Sequence, residues 1–199
     1  MESLEEKEVV VQNAITFDDV EESRNRILPR ILEGGKGIPV ILSKMPSLTH
    51  VGDNALPALK LEFFSIVEEA YEDINVLLPK TIATTAEEKK LQKGGAERLK
   101  HILNAFINTE GLTGNTYEDI VVNALSRFTP AMKNIPCEIK LVYNKKGIIS
   151  FPTVGDCVST ALKKKSLAWN PSYDKHTVPE KASGALTTTV DVNKMSEMM

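Results

Sequence analysis

The stretch from Pro136 to Pro152 constrains the fold more than any other. Two β-prone runs flank the tight polar loop Asn144-Lys145-Lys146-Gly147. A loop that closes on glycine, where a left-handed backbone angle costs least, is the local signature of a β-hairpin. With Tyr143 placed opposite Ile148, the period-2 alternation of strands sorts the side chains into two faces. One face carries Ile139, Leu141, Tyr143, Ile148 and Ser150 and reads as core. The other carries Lys140, Val142, Ile149 and Phe151, next to the loop lysines Lys145 and Lys146. A basic ribbon with aromatics is either a solvated hairpin or a platform for single-stranded nucleic acid.

A hairpin alone is marginal, so its neighbours must come from elsewhere in the chain. At 199 residues the chain suits one domain with arms, or two very small ones, and such a core needs neither disulfides nor metal. Composition is that of an ordinary globular protein, 42% hydrophobic and 26% charged, and nothing in it argues for global disorder. No apolar run reaches the length of a membrane span, and the acidic start Met1-Glu2-Ser3-Leu4-Glu5-Glu6 is unlike a secretory signal. The expected setting is therefore cytoplasmic, with no membrane partner. Cys137 and Cys157 offer no metal spacing and no disulfide framework, and both are expected as free structural thiols.

A net charge of −3 argues mildly against nucleic acid, since phosphate binding usually shows as a basic excess. The distribution changes that reading. Residues 1–35 carry Glu2, Glu5, Glu6, Glu8, Asp18, Asp19, Glu21, Glu22 and Glu33 against Lys7, Arg24, Arg26 and Arg30. Residues 133–165 carry Lys133, Lys140, Lys145, Lys146, Lys163, Lys164 and Lys165 against Glu138 and Asp156.

Along the chain, Asp19 to Leu32 is helix-like, with Thr16 as a cap, although Pro29 opposes a long helix. Ile38 to Met45 reads as a first strand and Ser47 to Asn54 as loop. Ala58 to Leu78 supports two readings. Leu59, Phe63, Ile66, Val67, Ala70, Ile74 and Leu77 fall on one helical face, whereas Leu59-Lys60-Leu61-Glu62-Phe63 alternates as a strand. Strands here, with a turn at Glu68 to Asp73, supply the partners that the hairpin needs. Thr85-Ala86-Glu87-Glu88 opens the clearest helix with a capping box, and Gly94-Gly95 is a point where it can split. Thr116 with Asp119 opens a second helix, closed by Pro130. A short helix is expected near Val154 to Lys165, and a loosely held tail from Ser166.

The resulting order is strand, strand, strand, helical insert, strand, strand. This is an α+β arrangement with the element order of a small Greek-key oligonucleotide-binding (OB) barrel. It divides into an acidic arm over residues 1–35, a domain over 36–165 whose helical insert spans about 85–129, and a tail over 166–199.

Three segments carry a family resemblance: Ile15-Thr16-Phe17-Asp18-Asp19-Val20, the helix Glu97-Arg98-Leu99-Lys100-His101-Ile102-Leu103-Asn104-Ala105-Phe106, and Glu138-Ile139-Lys140-Leu141-Val142-Tyr143-Asn144-Lys145-Lys146-Gly147. Together they resemble small phage-type single-stranded-DNA-binding proteins over residues 15–160. The resemblance implies an OB fold, a role in DNA replication or recombination, replication or recombination proteins as partners, and the cytoplasm of a bacterial or phage-infected cell. Two departures stand out. Thr187 to Met199 is not the acidic tail that many such proteins use to recruit partners, and Ile148-Ile149 stand where an aromatic would stack.

Sequence-tolerant single-strand binding needs a basic groove for phosphates and flat side chains for bases. The candidates are Lys60, Phe64, Lys80, Lys140, Tyr143, Lys145, Lys146 and Phe151, with Lys60 and Phe64 sharing one strand face. The opposing reading puts Phe63, Phe64, Tyr143 and Phe151 in the core and leaves the lysines to solvate the surface. Lys163-Lys164-Lys165, near Trp169 and Tyr173, forms a second basic and aromatic cluster or simply a charged helix end. Enzyme signatures are absent. Gly34-Gly35-Lys36-Gly37 lacks phosphate-loop spacing, and His50, His101 and His176 form no ligand pattern. The expected function is non-catalytic single-stranded-DNA binding with no cofactor or metal; the alternative is a structural or assembly protein of a virus particle.

Overall fold

A computed structural model describes residues 24–179. Within it, eight strands and two helices share one hydrophobic core. The central element is β3 (Leu56–Ser65). One edge of β3 pairs along its length with β4 (Ala70–Leu77), from Ala58 opposite Leu77 to Ser65 opposite Ala70. The other edge is shared by β1 (Ile38–Leu42) and β2 (Ser47–Val51). Leu42 opposes Phe63 and Ser47 opposes Lys60. Between those pairs the chain takes five steps on one side against three on the other. Ser43 to Pro46 therefore bulges out, and β1 and β2 act as one bent strand.

β5 (Cys137–Ile139) pairs antiparallel with β1, and β8 (Val158–Thr160) with β5. These six strands form one antiparallel sheet, while β6 (Val142–Tyr143) and β7 (Ile149–Ser150) form a separate two-stranded one. Among the described residues no ladder joins β4 to β8, so hydrogen bonding leaves the larger sheet open.

The strand reading of residues 58–78 agrees with this sheet, but the turn sits at Ile66 to Glu69, with Glu69 at φ 48°. Tyr71, Glu72 and Asp73 therefore belong to β4 instead of the turn. Glu72 hid the strand. It occupies an inward position between Ala70 and Ile74, where the alternation calls for an apolar residue, and is buried there against Arg26. Ser47 to Val51, expected as loop, is an edge strand, and its half-exposed side chains blur the alternation.

α1 (Ala86–Phe106) is one unbroken helix. The Gly94-Gly95 pair does not split it. Gly95 admits a close neighbour instead, because a Cβ there would stand 3.0 Å from Pro79 Cγ. The Thr85–Glu88 and Thr116–Asp119 capping boxes both form, opening α1 and α2 (Tyr117–Leu125). Each satisfies backbone N–H groups that the first helical turn leaves without partners. Leu99, Ile102, Leu103 and Phe106 of α1 and Val121 and Ala124 of α2 are buried in the core under the sheet.

The expected helix over Val154 to Lys165 is replaced by β8 and turns. Cys157 to Thr160 are all buried, so no one-sided pattern shows, and the Thr160 hydroxyl donates to Ala105 O at 2.7 Å. Burial, helped by the nearby Glu138 and Asp156 carboxylates respectively, pushes the Cys137 and Cys157 thiols up to about 12 each, which keeps them protonated and inert near neutral pH.

The helix expected over Asp19 to Leu32 does not form in its described part, residues 24–32, where Arg26 makes an isolated parallel bridge with Tyr71. Tyr71 N–H donates to Asn25 O at 2.8 Å and Ile27 N–H to Tyr71 O at 3.2 Å, so residues 25–27 lie along β4. Thr16, Ile15 to Val20 and the rest of the acidic segment lie outside the described residues. Past Ser166 the chain is held more firmly than expected: Leu167 and Asp174 are buried, and Leu167 N–H donates to Gly35 O at 2.8 Å. Residues 180–199 lie outside the described range.

Candidate nucleic-acid interface

The hairpin closes one residue out of the expected register. Tyr143 faces Ile149 and Val142 faces Ser150. Asn144 sets this loop: its Oδ1 accepts from Lys146 N–H at 2.8 Å and Ile148 N–H at 3.0 Å. Gly147 has φ 75°, as its place in the turn requires. The strand leading in is interrupted at Lys140-Leu141, so Ile139 belongs to the large sheet and Val142 to the small one.

Several candidate residues consequently have other roles. Lys140 is buried, with Nζ 2.9 Å from Asp174 Oδ2 and 3.0 Å from Ala168 O. Phe151 is buried and meets Phe63 edge-on at 5.9 Å between ring centroids. Tyr143 is half-buried against the core. The two-faced ribbon is thus overturned: a one-residue slip exchanges faces, and the break at Lys140 turns its side chain inward. Lys145 and Lys146 remain exposed at the hairpin tip.

Lys80 is also exposed, but it lies beyond the far end of β4 from Tyr71, with Nζ 3.5 Å from Glu88 Oε1. Hydrogen bonds from the Thr84 backbone, the Thr84 hydroxyl and the Thr85 backbone lower the Glu88 carboxyl to about 2 from an ordinary 4.5. A lowered folded-state value stabilises above the ordinary value and loses that contribution as the carboxylate protonates. On acidification from pH 4.5 towards 2, far-UV circular dichroism should therefore report a loss of helix in the wild type that Glu88→Gln lacks. Identical acid titrations would show that the cap does not hold α1.

Lys60 and Phe64 do share a face, the outer one of β3, since Leu59, Leu61 and Phe63 point into the core. Phe64 opposes Tyr71 across the β3–β4 ladder and Ile41 across the β1–β3 ladder. All three are half-buried, and the Phe64 and Tyr71 rings lie 4.6 Å apart at an interplanar angle of 36°. The Arg24 guanidinium stands 5.1 Å over the Tyr71 ring. Phe64 and Tyr71 thus present adjoining, partly open rings with a cation beside them.

Around this pair the charges are matched. Lys60 Nζ lies 2.6 Å from Asp73, Lys44 Nζ 2.8 Å from Glu62, and Arg26 Nη2 2.5 Å from Glu72. Burial works against ionisation of Glu62, but hydrogen bonds from Lys44 and Ser43, both on the bulge, outweigh it and hold the carboxyl below its usual range. For Glu72 burial wins over the Arg26 pair and raises the carboxyl.

Tyr71 and Arg24 were missed from sequence because one fell in an expected turn and the other in an expected helix. The available signal was the Phe63-Phe64 pair, one ring of which must face outward from any strand. Among the described residues, no cluster of His, Cys, Asp and Glu is arranged to hold a metal, and no helix is long and apolar enough to cross a membrane.

No protein-family model, curated protein or solved structure matches this chain.

Proposed function

We propose that the protein is a non-catalytic binder of single-stranded DNA that uses the outer face of β1, β3 and β4, acting on intermediates of replication or recombination. The observation that carries this reading is the half-exposed Phe64–Tyr71 pair beneath Arg24. Bases of any sequence have a π-face, so adjoining open rings on a sheet stack single strands without selecting sequence. The topology supports the same reading. A bent first strand, a three-strand meander, a helical insert and a return of β5 to β1 are compatible with a small β-barrel-like fold, the architecture on which OB-type single-strand binding is built.

Fluorescence anisotropy with a labelled oligo(dT), and with a duplex of the same length, tests the proposal. The oligo(dT) should bind at low salt, more tightly than the duplex, and its affinity should fall as salt rises because neutralised phosphates release counterions. No binding of oligo(dT) even at low salt would overturn it and favour an assembly role.

A further inference from the structure

The aromatic pair explains how bases would be held, but of the cations around it Lys44, Lys60 and Arg26 are already paired and Arg24 lies over the Tyr71 ring. Further cations stand elsewhere on the same face, two of them, Lys36 and Lys164, with no ion pair among the described residues. A groove runs beside Gly34, Gly35 and Lys36 on one wall and Lys164, Lys165 and Ser166 on the other, with Pro39, Glu138 and Ser159 among its lining residues. Pro39 opposes Glu138, and Glu138 opposes Ser159. Pro39 and Ile41 alternate on the same side of β1, and Ile41 opposes Phe64. By register, then, the groove and the aromatic pair occupy one continuous outer face.

We infer that this groove is a phosphate-binding subsite, in which Lys36, Lys164 and Lys165 hold the backbone of a strand whose bases stack on Phe64 and Tyr71. The inference rests on the single-strand reading above. Among the described residues neither Lys36 nor Lys164 has a carboxylate within ion-pair distance, and Lys165 has only Asp156, at 3.5 Å. The one carboxylate lining the groove, Glu138, accepts from Gly37 N–H at 3.1 Å, which fixes its position.

The walls are set before any ligand arrives. Leu167 N–H bonds to Gly35 O, and a Cβ on Gly35 would come within 2.9 Å of Ser166 Oγ, so the two wall segments touch. Lys165 N–H also donates to Ser159 Oγ at 2.9 Å, tying the lysine run to β8. From β4 to β8 the face spans four interstrand steps, or about 19 Å. That width suits a strand crossing the sheet from rings to groove, in keeping with site sizes of roughly 4–16 nucleotides for OB-sized units.

The test is the salt dependence of oligo(dT) affinity for the full chain, comparing wild type, K36A/K164A/K165A and F64A/Y71A. Loss of three phosphate contacts should make the slope of log K against log salt shallower by about 2. The aromatic variant should bind more weakly with the slope unchanged. K36R/K164R/K165R should keep the wild-type slope, which separates lost charge from lost packing. A triple alanine variant with the wild-type slope would overturn the groove while leaving the aromatic platform standing. A wild type that binds no oligo(dT) would overturn both.

Discussion

Replacing Lys140 by methionine is expected to destabilise the protein by about 3–5 kcal/mol, because it strands a buried carboxylate. The Lys140 and Asp174 side chains are 6% and 0% exposed and meet at 2.9 Å. Lys140 Nζ also reaches Ala168 O, and Asp174 Oδ2 accepts from Asn170 N–H at 2.7 Å. The pair therefore fastens residues 168–174 to the point where the chain leaves the large sheet for the small one. Without the ammonium, Asp174 must either protonate or pull this segment into water.

Urea unfolding followed by circular dichroism measures the effect. K140M/D174L, which removes both charges, should recover much of the loss, since paired removal spares the desolvation penalty. A surface lysine that merely contacts phosphate would behave differently: its replacement typically changes stability by less than about 0.5 kcal/mol. Such a small change in K140M would show that the buried pair is not what holds the segment.

Phe64→Ala and Tyr71→Ala are expected to weaken oligo(dT) binding by roughly 5- to 150-fold each, the equivalent of about 1–3 kcal/mol per stacked base. The aromatic replacements Phe64→Tyr and Tyr71→Phe should retain most of the affinity, because a flat ring is what the interaction needs. Both rings are only half-buried, on the outer face of the sheet, so these variants should fold. Phe63 and Phe151 provide the contrast. Both are buried in the core, and truncating either should cost about 3–5 kcal/mol of stability. Unchanged affinity in both F64A and Y71A would remove the platform from the account.

What the sequence made legible followed from local rules. The two capping boxes announced their helices, and the alternation from Leu59 to Phe63 announced β3 once the hairpin demanded neighbours. Gly147 marked its turn. The errors arose where tertiary structure supplied what local chemistry lacked. Glu72 interrupts an inward apolar pattern and is tolerated only through Arg26, which is 46 residues away. The extended course of residues 25–27 exists because β4 offers it backbone partners.

The candidate site was legible in part for the same reason. Lys60 and Phe64 follow from alternation within one strand and do share a face. The fate of Lys140 depended on register and on Asp174, 34 residues later, neither of which local pattern can supply. Phe151 is aromatic and β-prone, but only the fold decides that it meets Phe63. The groove lysines Lys164 and Lys165 were visible as a cluster, yet nothing local joined them to Lys36 at the far end of β1.

The most direct measurement is photocrosslinking of a 5-iodouracil-substituted oligothymidine to the full chain, with the modified peptides mapped by mass spectrometry. Attachment is expected at Phe64 or Tyr71, lost in the matching alanine variant. Attachment confined to other aromatics such as Trp169 or Tyr173, or none at saturating protein in low salt, would contradict it.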